Sequence, residues 1–230
     1  MNNTKKEFSK YLKEVNEYFD VISTLDKGSC KLICTNIIGE EYIKIIDENL
    51  VKILKANCFL LLYNLIEATI RNSINAIIRS IHAEKMTFKN LSEKLRTIWI
   101  NQELRNLNKE PINIDSIREN ISDIAKKILN DELLKFEDKC VKISGNLDAQ
   151  KIRDIAKKFG YTESKDGYKL LIIKKKRNDL AHGEVTFSEI GKDYTINDLI
   201  NFKDETEKYL NDVLINIDSY LNNKIFLFSK

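Results

Sequence analysis

Apolar residues recur every three or four positions along most of the chain, with dense charge between them, the pattern of helices that bury one face. Phe8, Leu12, Val15, Phe19 and Ile22 predict an amphipathic helix over residues 4–25. Asp26 to about Ile46 is less regular, with Gly28 and Gly39 as breakers and a short strand fitting Lys31–Ile38. Asp47 suits the N-cap of the longest helix, which runs to about His82. The middle of that helix, Cys58–Ile66, is apolar almost all round, as in a central, enclosed helix. Along it Leu60, Tyr63, Glu67, Ile70, Ile74, Ile77 and Ile81 form a seam that includes one carboxylate, Glu67.

Leu91, Leu95, Ile98 and Trp99 mark a further helix over 87–107, and Pro111 ends that region. Ser116 with Glu119 reads as a capping box for a helix over 116–136, whereas Leu133–Ser144 is ambiguous. Asp148 caps a short helix through Phe159, and Gly160 stops it. A turn-rich connection, Tyr161–Tyr168, leads into a lysine-rich helix. Val185–Tyr194 then fits a small hairpin or an ordered loop. Thr195 and Asp198 cap the last long helix, striped by Leu199, Phe202, Thr206, Tyr209, Val213, Ile217 and Tyr220, with the apolar tail from Lys224 packing as an extension. Without an internal repeat, low-complexity linker or composition break, residues 1–230 read as one domain, mainly all-α, with long central helices.

One helix departs from the pattern. In Lys174-Lys175-Lys176-Arg177-Asn178-Asp179-Leu180-Ala181-His182-Gly183 the apolar stripe of Leu170, Ile173, Leu180 and Ala181 has Arg177 in its middle. A guanidinium stays charged, and burying it unpaired costs several kcal/mol, so a partner or an anionic ligand must meet it there. Glu67 is the matching anomaly of opposite sign, which predicts a contact between the two, direct or through Arg71; pairing of Glu67 with Arg71 alone is the competing structural role. His182 projects about 140° round from Arg177, at the edge of the stripe, so the two could flank a phosphate lying along the helix. Gly183 fits the position after the helix end, which puts His182 in the last turn, where the dipole favours a cation.

Composition narrows the function. One Pro and seven Gly agree with helix throughout. A net charge of +3 is too mild to make the whole surface a trap for nucleic acid, so any such site must come from local clusters. Lys169, Lys174, Lys175 and Lys176, with Arg153, Lys157 and Lys158 on the preceding helix, form one, suited to an RNA backbone; a solvated lysine face is the bland alternative. The four cysteines at 30, 34, 58 and 140 are too irregular for a disulfide framework, and the Cys30/Cys34 pair has no second pair or nearby His to make a zinc site. Reduced thiols and a charged N-terminal segment without an apolar signal core point to a cytoplasmic protein. No run of about 18 apolar residues suggests a membrane span. A carboxylate-rich metal triad and a glycine-rich phosphate loop are both missing from the sequence, which disfavours metal-dependent DNA cleavage and nucleotide hydrolysis. His82, near a helix end, reads as a surface residue.

Arg177-Asn178 followed by His182 resembles the Arg-polar-x-x-x-His signature of HEPN domains, compact helical domains of many prokaryotic RNases, toxins and defence effectors. The upstream segment Ser144-Gly145-Asn146-Leu147-Asp148-Ala149-Gln150-Lys151-Ile152-Arg153 and the downstream segment Gly183 through Leu199 are similar to the MAE-type HEPN branch, in which the domain fills nearly the whole chain.

The resemblance implies a HEPN-like helical bundle and a metal-independent endoribonuclease without cofactor, acting as a toxin or in antiviral defence. It further implies a homodimer in which Arg177 and His182 of both chains build a composite site, leaving 2′,3′-cyclic phosphate ends, with an antitoxin or another defence-system protein as a further partner. Asn178, one turn before His182, would orient the imidazole or the substrate, and the resemblance also points to an acidic residue such as Glu67 on the central helix. Some HEPN toxins carry a modifiable tyrosine two positions after the histidine; here that position is Glu184, which speaks against this mode of control. The alternatives are a non-catalytic HEPN-type module that binds RNA or a protein, and a scaffold whose dimer seam contains Arg177.

Overall fold

A computed structural model describes residues 1–28, 30–107, 114–137, 140 and 146–228. Among them are eight α-helices, one 3-10 turn and a two-stranded sheet. The order is α1 (Asn2–Leu25), β1 (Lys31–Thr35), β2 (Glu41–Ile45), α2 (Glu48–Ala83), α3 (Glu93–Leu107), α4 (Ile114–Leu129), α5 (Ala149–Phe159), α6 (Tyr168–Ala181), α7 (Phe187–Lys192) and α8 (Ile196–Asn222). The mainly helical class expected from the periodicity is the one found. Internal contacts group the chain into two compact units. One comprises Lys5–Thr69 with Asp166–Leu210, the other Met1–Thr4, Ile70–Lys165 and Asn211–Lys230.

The first unit holds α1, the strands, the first part of α2, α6, α7 and the start of α8. Phe8, Val15, Phe19 and Ile22 of α1 are buried, as their spacing requires, while Leu12 is half-buried. Tyr18 of α1 donates its hydroxyl to the Leu54 carbonyl of α2 at 2.9 Å, and Lys55 pairs with Asp26 at 2.7 Å. β1 and β2 pair antiparallel with Ile33 opposite Ile43. The turn between them is held by Asn36, whose side-chain oxygen accepts from the Ile38 and Glu40 amides at 3.0 and 2.8 Å. The strand expected at Lys31–Ile38 thus ends at Thr35 and gains a partner that the periodicity did not mark, because both strands are exposed along most of their length and carry no alternation.

Asp47 caps α2 through the Leu50 amide at 2.7 Å. Phe59, Leu62, Tyr63, Leu65 and Ile66 are fully buried, as expected of an enclosed helix. On composition α2 is nevertheless long and apolar enough to cross a membrane, with an 18-residue window of mean hydropathy 1.4 that polar residues interrupt. Half of that window is covered by protein in this fold.

Val185–Tyr194 is neither hairpin nor irregular loop but contains the short helix α7. Thr186 and Glu189 form a reciprocal capping box there, a Thr-x-x-Glu signal that the turn-rich surroundings concealed. The same arrangement opens α8, where Thr195 and Asp198 exchange hydrogen bonds of 2.9 and 3.1 Å. The Thr186 amide holds the Glu189 carboxyl below its ordinary range, and the Thr195 hydroxyl does the same for Asp198. Gly191 of α7 lies against α2 so closely that a Cβ would stand 1.8 Å from the Lys52 carbonyl oxygen.

In the second unit Leu91 and, on α3, Leu95, Ile98 and Trp99 are buried as expected, but the helix expected over 87–107 begins only at Glu93, after a 3-10 turn at Phe88–Asn90. α4 stops at Leu129, short of the expected 136, and Leu133 instead bridges to Thr87. The break expected at Pro111 and the side chain of Ser116 lie outside the described residues, as does part of Leu133–Ser144. His82, exposed, accepts the Phe136 amide at 2.9 Å, and Gln102 accepts the Glu137 amide at 2.8 Å while donating to the Lys135 carbonyl at 3.0 Å. Asp148 caps α5 and Gly160, at φ 92°, ends it. The tail packs as an extension: Leu227 bridges to Leu91, and the Ser92 amide donates to the Phe226 carbonyl at 2.9 Å.

Gly191→Ala should lower stability by about 2 kcal/mol or more, since backbone rather than a flexible side chain meets the added methyl; a urea melt measures it, and an unchanged midpoint would show that α7 moves away freely. Burial pushes the Cys58 thiol from its ordinary 9.0 up to about 12, against the pull of a backbone hydrogen bond and the Lys55 charge. Its stability contribution is therefore complete below pH 9 and is lost as pH rises through about 12. Thiol reagents should modify half-exposed Cys30 and Cys34 rapidly, and buried Cys58 and Cys140 only on unfolding.

Candidate functional site

The candidate residues lie on α6, and the way this helix begins and ends sets their geometry. Gly167 at φ 79° turns the chain into the helix at Tyr168. At the other end the Glu184 amide donates to the Asp179 carbonyl at 3.0 Å and the Gly183 amide to the Leu180 carbonyl at 3.3 Å. With Gly183 at φ 69° this is a Schellman end, and it makes His182 the last residue of the helical path. Lys169, Leu170, Ile173 and Leu180 form the buried side of α6. Ala181, expected on the same stripe, is exposed because the helix is already ending.

Arg177 lies one turn beyond Ile173 on that buried side and is half-covered. Its guanidinium carbon sits 4.4 Å from the centroid of the Tyr63 ring, and Nη1 donates to the Asn178 side-chain oxygen at 2.9 Å. The misplaced charge is thus met by a fully buried aromatic face on α2 and by an amide on its own helix. A guanidinium over a partly desolvated ring gains about 1–2 kcal/mol. Stacking through its face keeps the N–H edge in plane, the edge that matches a phosphate. Glu67 is half-buried one turn beyond Tyr63 on α2. Tyr63 was read from the sequence only as core. The signal that pointed to it was its place on the same seam as Glu67.

Asn178 links the two principal residues. Its side-chain oxygen holds Arg177, and its backbone carbonyl accepts the His182 amide at 2.9 Å. Of the two roles expected of Asn178, orienting the imidazole or the substrate, its side-chain oxygen is turned to the guanidinium in the single chain. The His182 side chain is exposed and has no hydrogen-bond partner among the described residues.

The lysines separate into different roles. Lys175 is exposed, Lys174 is half-buried, and Lys176 is half-buried with its ammonium 5.8 Å from the Tyr194 ring centroid. Lys169 does not belong to the basic surface: it is buried, paired with Glu205 at 2.9 Å and laid over the Phe202 ring. Tyr194 stacks edge-on to Phe59 at 4.9 Å. Its hydroxyl is held above its ordinary pKa, mainly by burial and then by Asp193, Asp198 and Asp179. Arg153 lies on α5, in the other unit, where it donates to Gln150 at 3.2 Å. Among the described residues no group of three His, Cys, Asp or Glu is placed to hold a metal ion.

An Arg on a buried stripe, an exposed His five residues on, and a Gly-closed helix end are the features for which a family comparison is informative. The family model for MAE_28990-like HEPN proteins matches residues 2–226. The chain belongs to the MAE-type HEPN family. The match runs through both compact units and includes all the candidate residues of this HEPN domain. Searches of curated proteins and of solved structures returned no match.

Arg177→Met should lower stability by no more than about 2 kcal/mol in a urea melt, because the ring contact and the Asn178 hydrogen bond are lost while an apolar side chain fills the stripe. Binding of a phosphate backbone should weaken at least tenfold in the same variant. Loss of more than about 2 kcal/mol of stability would instead assign Arg177 a structural role.

Proposed function

We propose that this HEPN protein is a metal-independent endoribonuclease, serving as a toxin or an antiviral defence effector. Membership of the HEPN family already supports an RNA-related or defence module in general terms. The observation that carries the finer reading is the disposition of Arg177, stacked on Tyr63 and tied to Asn178, with the exposed imidazole of His182 one turn past Asn178.

The chemistry needs three groups. A base takes the proton of the 2′-hydroxyl, a cation meets the charge growing on the non-bridging oxygens, and an acid protonates the departing 5′-oxygen. As the bond from the 2′-oxygen to phosphorus forms, the bond from phosphorus to the 5′-oxygen breaks, and the strand carries a 2′,3′-cyclic phosphate. Arg177 supplies the cation and His182 a proton acceptor or donor. One imidazole cannot be base and acid in a single step. The proposal therefore includes a homodimer in which the two motifs face each other and the second His182 completes the proton transfer. Lys174, Lys175 and Lys176 hold the backbone alongside, and Glu67 supports the Arg177 environment from α2. Because the 2′-hydroxyl is the nucleophile, DNA is not a substrate.

One observation favours the runner-up, a non-catalytic module that binds RNA or a protein. A working imidazole is ordinarily oriented by a hydrogen bond, and in the single chain His182 has none among the described residues. Incubation of wild type and His182→Ala with a mixed RNA pool in EDTA distinguishes the readings. Wild type should cut and leave cyclic phosphate ends, while the variant should be slower by about 10²-fold or more. Specific activity should also fall on dilution, as the dimer dissociates. RNA retained but uncut by both proteins would establish the binding module in place of the enzyme.

A further inference from the structure

A cavity of about 700 Å³ opens between α3 and α5, lined by Lys94, Thr97, Ile98, Asn101, Leu104, Arg105, Cys140, Lys151, Lys157 and Lys158. The α3 side is one helical face, Lys94, Thr97, Ile98, Asn101 and Arg105, at intervals of three and four, turned away from the Leu95 and Trp99 face that enters the core. On α5, Lys151 and Lys158 stand two turns apart on a common face. Among the described residues, five of the ten that line it are cationic and none is a carboxylate. In a chain with 38 basic and 35 acidic residues, that is a local imbalance that composition does not supply.

The cations are not equivalent. Arg105 donates to the Asn101 carbonyl at 3.1 Å and to the Cys140 carbonyl, so it braces the wall. Lys157 pairs with Glu163 at 3.6 Å at the surface. Lys94, Lys151 and Lys158 have no carboxylate partner among the described residues. Lys94 is steered by Gly160: a Cβ there would stand 3.0 Å from the lysine Cδ, so the bare glycine lets the stem lie over the end of α5. Ammonium groups around one concavity repel each other, and a bound polyanion removes that repulsion. Ile98 and Leu104 add an apolar wall, and Thr97 and Asn101 add hydrogen-bonding groups beside it.

We propose that this cavity binds a nucleoside polyphosphate, with the phosphates between Lys94, Lys151 and Lys158 and the base against Ile98 and Leu104. The site is separate from Arg177 and His182, and the inference does not rest on the ribonuclease reading.

The test is equilibrium binding of fluorescently labelled ATP to the full chain, with thermal melts in parallel, for wild type, Lys94→Gln/Lys158→Gln and His182→Ala. Wild type and His182→Ala should bind saturably and melt higher with ATP. The double lysine variant should fold with an equal or higher midpoint of its own, bind at least tenfold more weakly and gain no stability from ATP. No saturable binding by wild type, or equal binding by the double variant, would overturn the proposal. Inorganic tripolyphosphate competing as well as ATP would overturn the assignment of the apolar wall to a base. Competition by an RNA oligonucleotide but not by unlabelled ATP would make the cavity a contact for the RNA backbone instead.

Discussion

The stacking of Arg177 on Tyr63 is the constraint around which the first unit is arranged. A permanently charged side chain on the buried stripe of α6 is tolerable only where a surface of opposite electrostatic character meets it, and the face of a fully buried tyrosine provides one. That surface requires α2 to be apolar enough to enclose the ring, which is why its middle is buried nearly all round. The helix that looks like a membrane span by composition is, in this fold, the bed on which a cation rests. Asn178 then fixes the guanidinium within its own plane, and its carbonyl anchors the last turn from which His182 projects.

Elements near this pair act through backbone rather than through further charge. Gly191 lets α7 approach the α2 backbone at a distance no side chain would permit, and Ser188 of α7 donates to Asn49 at 2.6 Å. Reciprocal caps at Thr186/Glu189 and Thr195/Asp198 fix where α7 and α8 begin. Phe59, Tyr194 and Phe202 then close edge-to-face around the Lys-rich side of α6. Lys169, read in isolation as one more surface cation, is consumed by this packing through Glu205 and Phe202.

Where a signal is carried by a few neighbouring residues, the sequence was legible. Asp47, Asp148, Gly160 and Gly183 mark helix ends through capping groups or left-handed turns, and each stands where those rules place it. The stripe of α8, from Leu199 to Tyr220, is buried throughout. What escaped depends on tertiary contact. β2 lacks alternation because neither of its faces is covered, and Tyr63 is an ordinary core residue until α6 is laid across it. The cavity was half visible: Lys157 and Lys158 stood out, but the α3 face that completes it reads as a plain polar helix side, and only the placement of α3 beside α5 brings Lys94 to Lys151 and Lys158.

The two candidate sites use different cations, and the difference is chemical. Arg177 lies on a half-buried stripe, where a weakly hydrated planar fork survives desolvation and keeps its directional N–H edge. The cavity uses lysines, compact and strongly hydrated charges on flexible stems, which suit a multiply charged ligand that arrives with water and leaves again. Symmetry separates them as well. A phosphodiester transfer that needs both a base and an acid is incomplete with one His182, so the proposed ribonuclease gains its second imidazole only from a second chain. The described lining of the cavity comes from one compact unit, and the proposed ligand is assigned no group from a second chain. Dilution therefore acts on the two differently: it removes half of a composite site while leaving a single-chain cavity whole.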